Sequence, residues 1–158
     1  MARLSSIATL LLTIALSTGI GATAQSQQEK DIVKAFSKTV EEYIPSHFIK
    51  EPLPVQVGCG WNKHLYEPSA NHSIDVRKTD SLISPYIGTV QFVVTSSLTN
   101  CHPTEEEAKK DNAYRRFGTA THRYTFAYQE DTWVLKSREI LSEKGGNWVC
   151  SIGPEPCQ

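Results

Sequence analysis

The order of hydrophobic patterns constrains the fold of this chain most, because one helical pattern is followed almost entirely by strand-like patterns. Residues 25–44 carry apolar side chains at helical spacing, which predicts an amphipathic helix ended by Pro45. Among the later segments, Tyr86–Leu98 is richest in β-branched and aromatic residues and predicts the strongest strand. Gly88 predicts a bulge or a bend in it, and residues 67–71 predict a loop. This order predicts an α+β domain, with the N-terminal helix packed against a curved antiparallel sheet.

The first 24 residues have the features of a secretory signal peptide. Arg3 supplies a positive charge, an apolar run spans residues 10–16, and the small residues Ala-Thr-Ala at 22–24 form a cleavage site. The apolar run is too short and too interrupted to cross a membrane. We therefore expect residues 1–24 to be removed and residues 25–158 to form a single domain. The mature protein should be periplasmic or secreted, with no membrane span.

All four cysteines lie in the expected mature chain, at Cys59, Cys101, Cys150 and Cys157. An even number in an exported protein favours two disulfides, for which three connectivities are possible. Cys150–Cys157 is favoured because a stiff turn with two prolines and a glycine keeps these residues close, which leaves Cys59–Cys101 as the second pair. No CxxC, HxH or HExxH spacing is present, so we expect neither a metal site nor a cofactor.

The order of a helix followed by an antiparallel meander resembles the cystatin-like and nuclear-transport-factor-like α+β rolls, in which a bent sheet wraps the N-terminal helix. The hairpin of residues 123–128 and 132–136 is similar to the closing hairpin of such rolls, and the resemblance covers residues 29–141. It implies one main helix and a concave sheet face. It does not define an activity, because members of these rolls have unrelated functions.

A narrower resemblance concerns the cystatin protease inhibitors, which carry a Gln-x-Val-x-Gly loop after their helix. The segment Gln56–Gly60 keeps the first glutamine and the last glycine but has Gly58 where the family has valine. Neither Trp133 nor Trp148 follows a proline, as the second inhibitory hairpin of that family would require. Inhibition by this chain would need the Gly58–Trp61 loop and a tryptophan hairpin to lie on one exposed edge.

The charge balance gives no reason to expect a nucleic-acid partner. The chain has 16 Lys and Arg residues against 17 Asp and Glu residues, and Arg3 lies in the predicted signal peptide. The mature chain therefore carries a formal net charge of −2, with no long run of either sign. Because binding to nucleic acid or anionic lipid requires clustered positive charge, we expect the partner to be a protein or a small molecule.

His122 is the principal candidate for catalysis. It lies in the strand-like segment 117–128, on the same side as Tyr124 and Phe126, and a histidine in the pocket of a roll could act as a general base near neutral pH. Asp80 is the carboxylate that could orient it, although an aspartate at a turn ordinarily accepts local backbone hydrogen bonds. The alternative is that His122 faces solvent or packs in the core.

Aromatic residues provide the candidate binding surface. Trp61, Tyr86 and Tyr124 could contact a sugar or a peptide, although aromatic side chains in a small domain more often fill the core. The concave sheet face and the Gly58–Trp61 and Asp80–Tyr86 loops are the predicted working surfaces. The sequence favours a noncatalytic binding module. A small enzyme using His122 and a cystatin-like protease inhibitor are the alternatives.

Overall fold

The structure is a computed structural model that describes residues 20–48, 51–141 and 146–150. By its internal contacts the chain divides into two units, Met1–Ile32 and Val33–Gln158. The elements, in chain order, are α1 (Ile20–Phe48), β1 (Pro54–Val57), β2 (Gly60–Lys78), β3 (Tyr86–Leu98), α2 (Glu105–Lys110), β4 (Arg115–Gln129), β5 (Thr132–Leu141) and β6 (Trp148–Cys150). The predicted signal peptide lies mostly outside the described residues, and its last residues belong to the start of α1.

The six strands form one open antiparallel sheet in which every strand pairs with its neighbour in sequence, in the order β1-β2-β3-β4-β5-β6. The part of α1 after Ile32 packs against one face of this sheet, which confirms the predicted α+β architecture. Alternate residues of β3 and β4 point to the helix because successive side chains of a strand face opposite sides. The buried core comprises Phe36, Val40, Ile44, Val90, Phe92, Val94, Tyr124 and Phe126.

The helix does not end at Pro45 but continues for three more residues to Phe48. A proline in the last turn removes only one backbone donor, and Ser46 donates a hydrogen bond to the Tyr43 carbonyl at 2.9 Å. The ring of Phe48 lies edge-on to those of Phe92 and His122, with centroids 5.8 and 5.9 Å apart. Packing of this last residue on the sheet therefore keeps the extra turn in place.

Of the two alternatives predicted at Gly88, the bulge is wrong, because Gly88 pairs in regular register with Val76 and Phe126. A Cβ atom at this position would lie 2.6 Å from the nearest ring atom of Phe36. Glycine is therefore required here for the close approach of the helix to the strand.

The loop predicted at residues 67–71 is also wrong, because β2 continues through this segment. The strand carries an irregularity between Pro68 and His72, where three residues lie opposite Val93. Ser69 donates a hydrogen bond to the Asn71 carbonyl at 2.6 Å, which closes the bulge locally. Polar and proline residues inside a strand therefore mark a bulge here.

The predicted Cys59–Cys101 disulfide is confirmed, and its Cα atoms lie 6.0 Å apart. It joins the β1–β2 turn to the segment after β3. Beside it, the backbones of Trp61 and His102 exchange two hydrogen bonds of 2.8 Å. The other predicted pair, Cys150–Cys157, includes a residue outside the described part of the chain.

Helix α2 is fastened to the same end of β2 by a buried lysine. The Lys63 ammonium donates hydrogen bonds to the Lys109 carbonyl at 3.1 Å and to Asn112 Oδ1 at 2.9 Å. His102 Nε2 lies 2.8 Å from Asp111 Oδ2, and this hydrogen bond lowers the pKa of Asp111 below its ordinary value. We call this region, residues 59–63 with residues 101–114, the clamped end.

Candidate ligand-binding groove

A groove of about 720 Å³ lies between the last two turns of α1 and the first half of β2. We call it the helix–strand groove. Most of its wall is apolar, with side chains from the helix, the following connector and the strand: Val40, Ile44, Pro45, Phe48, Pro52, Leu65, Pro68 and Ala70. A concave apolar surface of this size is typical of small-ligand sites, whose volumes are about 300–1,000 Å³.

The local sequence explains why the groove forms at this position. Phe48 extends the spacing of Val40 and Ile44 by one further turn, so it forms the end of the apolar wall on the helix side. On the strand side, the bulge at residues 69–71 interrupts the regular ladder, and bulges bend the strand that carries them. The Val93 amide lies 3.4 Å from Ser69 Oγ, so the bulge is tied to β3.

The polar groups around the groove are predominantly acidic. Glu41, Glu51 and Glu67 belong to its lining, together with His72. None of the lining residues that the structure describes is a lysine or an arginine. Among the described residues, therefore, the groove combines an apolar body with three carboxylates on its rim.

His122 does not line this groove but lies behind Phe48. Its ring packs among those of Phe48, Phe92 and Tyr124, at centroid distances of 5.9, 5.7 and 6.1 Å. Burial lowers the pKa of His122 to about 4, and His47 acts in the same direction. Nδ1 of His122 has no hydrogen-bond partner among the described residues. The ring is therefore neutral at pH 7 and enclosed by aromatic side chains.

Asp80 and His122 are not brought together. His122 pairs with Phe92, which pairs with His72, whereas Asp80 follows the end of β2 at Lys78. The six residues from His72 to Lys78 correspond to about 20 Å along the strand. The Asp80 carboxylate, proposed to orient the histidine, therefore lies at the end of the sheet, whereas His122 lies near its middle.

The three aromatic candidates for binding occupy separate positions. Tyr124 and Tyr86 are buried on the helix-facing side, with 2% and 7% of their surface exposed. Burial also raises the pKa of Tyr124 to about 12. Trp61 is half-buried at the clamped end, where it pairs with His102. These residues do not form one continuous aromatic surface.

The Gly58–Trp61 loop lies far along the sheet from the hairpin of Trp133, one of the two tryptophans considered for cystatin-like inhibition. Trp133 pairs with Tyr128, which pairs with Tyr86, which pairs with Lys78 at the far end of β2. Trp61 is 17 residues from Lys78 on this strand, or about 50 Å in extended chain. The Gly58–Trp61 loop and the β4–β5 turn therefore do not share one edge.

Sequence reasoning missed the groove because each of its walls was misassigned. A helix that ends at Pro45 does not include Phe48. A loop at residues 67–71 leaves Pro68 and Ala70 outside the sheet. The spacing of Val40, Ile44 and Phe48, each four residues apart, was the available evidence for the helix side. On the strand side, the sequence contains no periodic pattern that indicates a continuous strand through residues 67–71.

Comparison with protein-family models, curated proteins and solved structures finds no match to this chain. Within the described ranges, no cluster of three or more histidine, cysteine, aspartate or glutamate residues could hold a metal ion. No helix in the described part of the chain is long and apolar enough to cross a membrane.

Proposed function

We propose that this protein is an exported, noncatalytic binding module that holds a small amphipathic ligand in the helix–strand groove. The observation that carries the proposal is the combination of an apolar wall with three rim carboxylates, Glu41, Glu51 and Glu67. The Cys59–Cys101 disulfide is compatible with export, because disulfides persist in oxidising compartments.

The chemistry of the groove selects a ligand with an apolar body and a positive group. Burial of apolar ligand surface supplies about 25 cal/mol per Å², and each buried methylene contributes about 0.8 kcal/mol. A cation placed among the carboxylates gains attraction, whereas an anion is repelled. The ligand class is therefore an alkyl or aryl amine, or a short peptide with apolar and basic side chains.

Three ligands of the same chain length test this proposal: octylammonium, octanol and octanoate, titrated by calorimetry and by NMR. We expect octylammonium to bind at least tenfold more tightly than octanoate, with octanol between them. Chemical shifts should change for residues of the groove. If none of the three binds, the groove is not a ligand site and the proposal fails. If the three ligands bind with equal affinity, the groove is a ligand site but the preference for a cation is refuted.

Two matched pairs of variants locate the binding. Ala70→Trp fills the groove and should abolish binding, whereas Ala35→Trp, on an exposed part of α1 outside the groove, should not. Glu67→Gln should weaken octylammonium binding without affecting octanol. Glu42→Gln is its control, because Glu42 lies beside Glu41 in sequence but does not line the groove.

The enzyme and protease-inhibitor alternatives stay predictions from the sequence. The first would need a reacting group near His122, whose ring is enclosed by Phe48, Phe92 and Tyr124. The second would need the Gly58–Trp61 loop to act without an adjacent tryptophan hairpin. Neither has an observation in its favour comparable to the groove.

A further inference from the structure

One side of β2 lacks a neighbouring strand for most of its length. β1 pairs with residues Gly60–Lys63, and β3 pairs with β2 from His64 to Lys78 on the opposite side. No strand in the described part of the chain pairs with the outer side of His64–Lys78, which we call the open edge. An unpaired edge offers backbone donors and acceptors to another extended chain.

The residues near the end of this edge alternate in character. Ile74 and Val76 point to the helix side of the sheet and are half-buried against the core. Asp75 and Arg77 lie on the opposite face and are exposed. The stretch therefore presents an apolar pair on one face and two opposite charges, two residues apart, on the other.

We propose that a second copy of this chain pairs antiparallel with the open edge, about a two-fold axis at Val76. If the axis is perpendicular to the sheet, the helices of both copies lie on the same face. Such an axis passes beside one residue, which lies opposite its own counterpart in the other copy. Every other residue then lies opposite a residue an even number of positions away in sequence. With Val76 opposite itself, Asp75 of each copy lies opposite Arg77 of the other, which forms two cross-strand ion pairs.

Neighbouring registers lack this complementarity. An axis at Asp75 would place two aspartates opposite each other, and an axis at Arg77 would place two arginines opposite each other. Like charges directly opposite on neighbouring strands are destabilising. An unrelated extended peptide would use the same backbone groups, but nothing in the exposed charges selects one. The self-complementary order of Asp75 and Arg77 therefore favours a second copy as the occupant.

An exposed apolar tip lies close to the open edge, at the β2–β3 connection, residues Ser81–Ser84. Leu82 and Ile83 are 100% and 77% exposed. The tip is nevertheless held in place, because the Ser84 amide donates to Ser81 Oγ at 3.1 Å and Gln129 Nε2 donates to Ser84 Oγ at 2.7 Å. The tip lies beyond the end of β2 at Lys78, where the Thr79 amide donates to the Pro85 carbonyl at 2.8 Å and the chain turns back to β3.

Analytical ultracentrifugation of charge-exchanged variants tests the dimer. The unchanged protein should show a monomer–dimer equilibrium between about 10 μM and 1 mM, as expected for a small interface. Asp75→Arg and Arg77→Asp should each weaken dimerisation at least tenfold, since each places like charges opposite. The double variant, with both residues exchanged, should restore it. Lys136→Asp, at an exposed position on β5, is the control and should leave it unchanged.

Hydrogen exchange supplies an independent readout, because amides of residues 74–78 should become more protected as concentration rises. Circular dichroism verifies that each variant is folded, and either single variant suffices for the test if the other does not fold. A protein that stays monomeric at 1 mM overturns the proposal. So does a dimer that is insensitive to the single exchanges, or one that the double exchange does not restore.

Discussion

The clamped end and the middle of the sheet differ in how their polar groups are satisfied. At the clamped end, the buried Lys63 ammonium has two oxygen acceptors within 3.1 Å, and a disulfide joins the flanking segments. In the middle of the sheet, the half-buried His122 has a buried Nδ1 without a described partner and a pKa lowered to about 4. The open edge begins just beyond the clamped end.

This difference indicates a division of roles along one strand. A covalent link and satisfied polar contacts stabilise the clamped end, where the chain reverses direction and α2 must be positioned. The rest of β2, after Lys63, carries a bulge, an unpaired edge and one wall of the groove, which are features that create binding surfaces. Substitutions in the two regions should therefore change the free energy of unfolding by different amounts, most at the disulfide and least at the open edge.

Removal of the disulfide should have the largest effect. The double variant Cys59→Ser/Cys101→Ser opens a loop with a sequence separation of 42 residues, and chain-entropy arguments give a loss of about 4 kcal/mol. Urea denaturation monitored by circular dichroism measures the change. A loss of less than about 1 kcal/mol would show that the hydrogen bonds of the clamped end hold the segments together without the covalent link.

Truncation of the buried lysine should have the next largest effect. Lys63→Ala removes the ammonium that bonds to the Lys109 carbonyl and Asn112, at a cost of about 2 kcal/mol. Lys63→Met keeps the alkyl stem and should recover part of this loss. The exposed Lys110 provides the control, since Lys110→Ala should change the free energy of unfolding by less than about 0.5 kcal/mol. If all three variants have the same free energy of unfolding, the contacts of Lys63 do not stabilise the clamped end.

Replacement of the buried histidine should stabilise the protein. His122→Phe removes a buried nitrogen without a described partner and retains aromatic packing, with a gain of about 1 kcal/mol at pH 7. The folded pKa of about 4 lies below the ordinary value of 6.5. As pH falls through 6.5, the unfolded state binds the proton first, so the unchanged protein loses stability until pH reaches about 4.

The variant has no such group, and the difference between the two proteins should therefore widen between pH 6.5 and pH 4. Urea denaturation at pH 7, 5.5 and 4.5 measures it. If the two stability profiles stay parallel over this range, His122 is accessible to protons in the folded state and the enclosed position assigned to it is incorrect.

Substitution on the open edge should have the smallest effect on the monomer. Asp75→Arg changes an exposed side chain, so the free energy of unfolding at low micromolar concentration should change by less than about 0.5 kcal/mol. Thermal denaturation at this concentration separates the monomer from any dimer. A loss above about 1 kcal/mol would mean that Asp75 makes a stabilising contact within its own chain. The open edge would then not be available to a second copy as proposed.

The sequence predicted the elements that depend on local periodicity. Phe36, Val40 and Ile44 repeat every four residues and form the buried face of α1. His122, Tyr124 and Phe126 alternate along β4 and share the helix-facing side, as expected. The sequence also favours the disulfide between Cys59 and Cys101, as the pair that remains if the short turn joins Cys150 to Cys157.

The errors arose where a residue's role depends on a distant neighbour. Pro45 would end an isolated helix, but the contact of Phe48 with Phe92 extends it. Gly88 would suggest a bulge in an isolated strand, but it is small because Phe36 packs directly on it. The partners in these cases are more than forty residues away in sequence, so no local pattern contains them.

The sequence by itself determined the kinds of elements and their order, because backbone preferences and side-chain periodicity act over a few residues. Only the tertiary structure decided where the groove, the bulge and the open edge lie, because these depend on which segments meet and in what register. A shift of one residue in pairing moves every side chain of a strand to the other face. The candidate binding surfaces of this protein therefore depend on register, which is set by long-range packing.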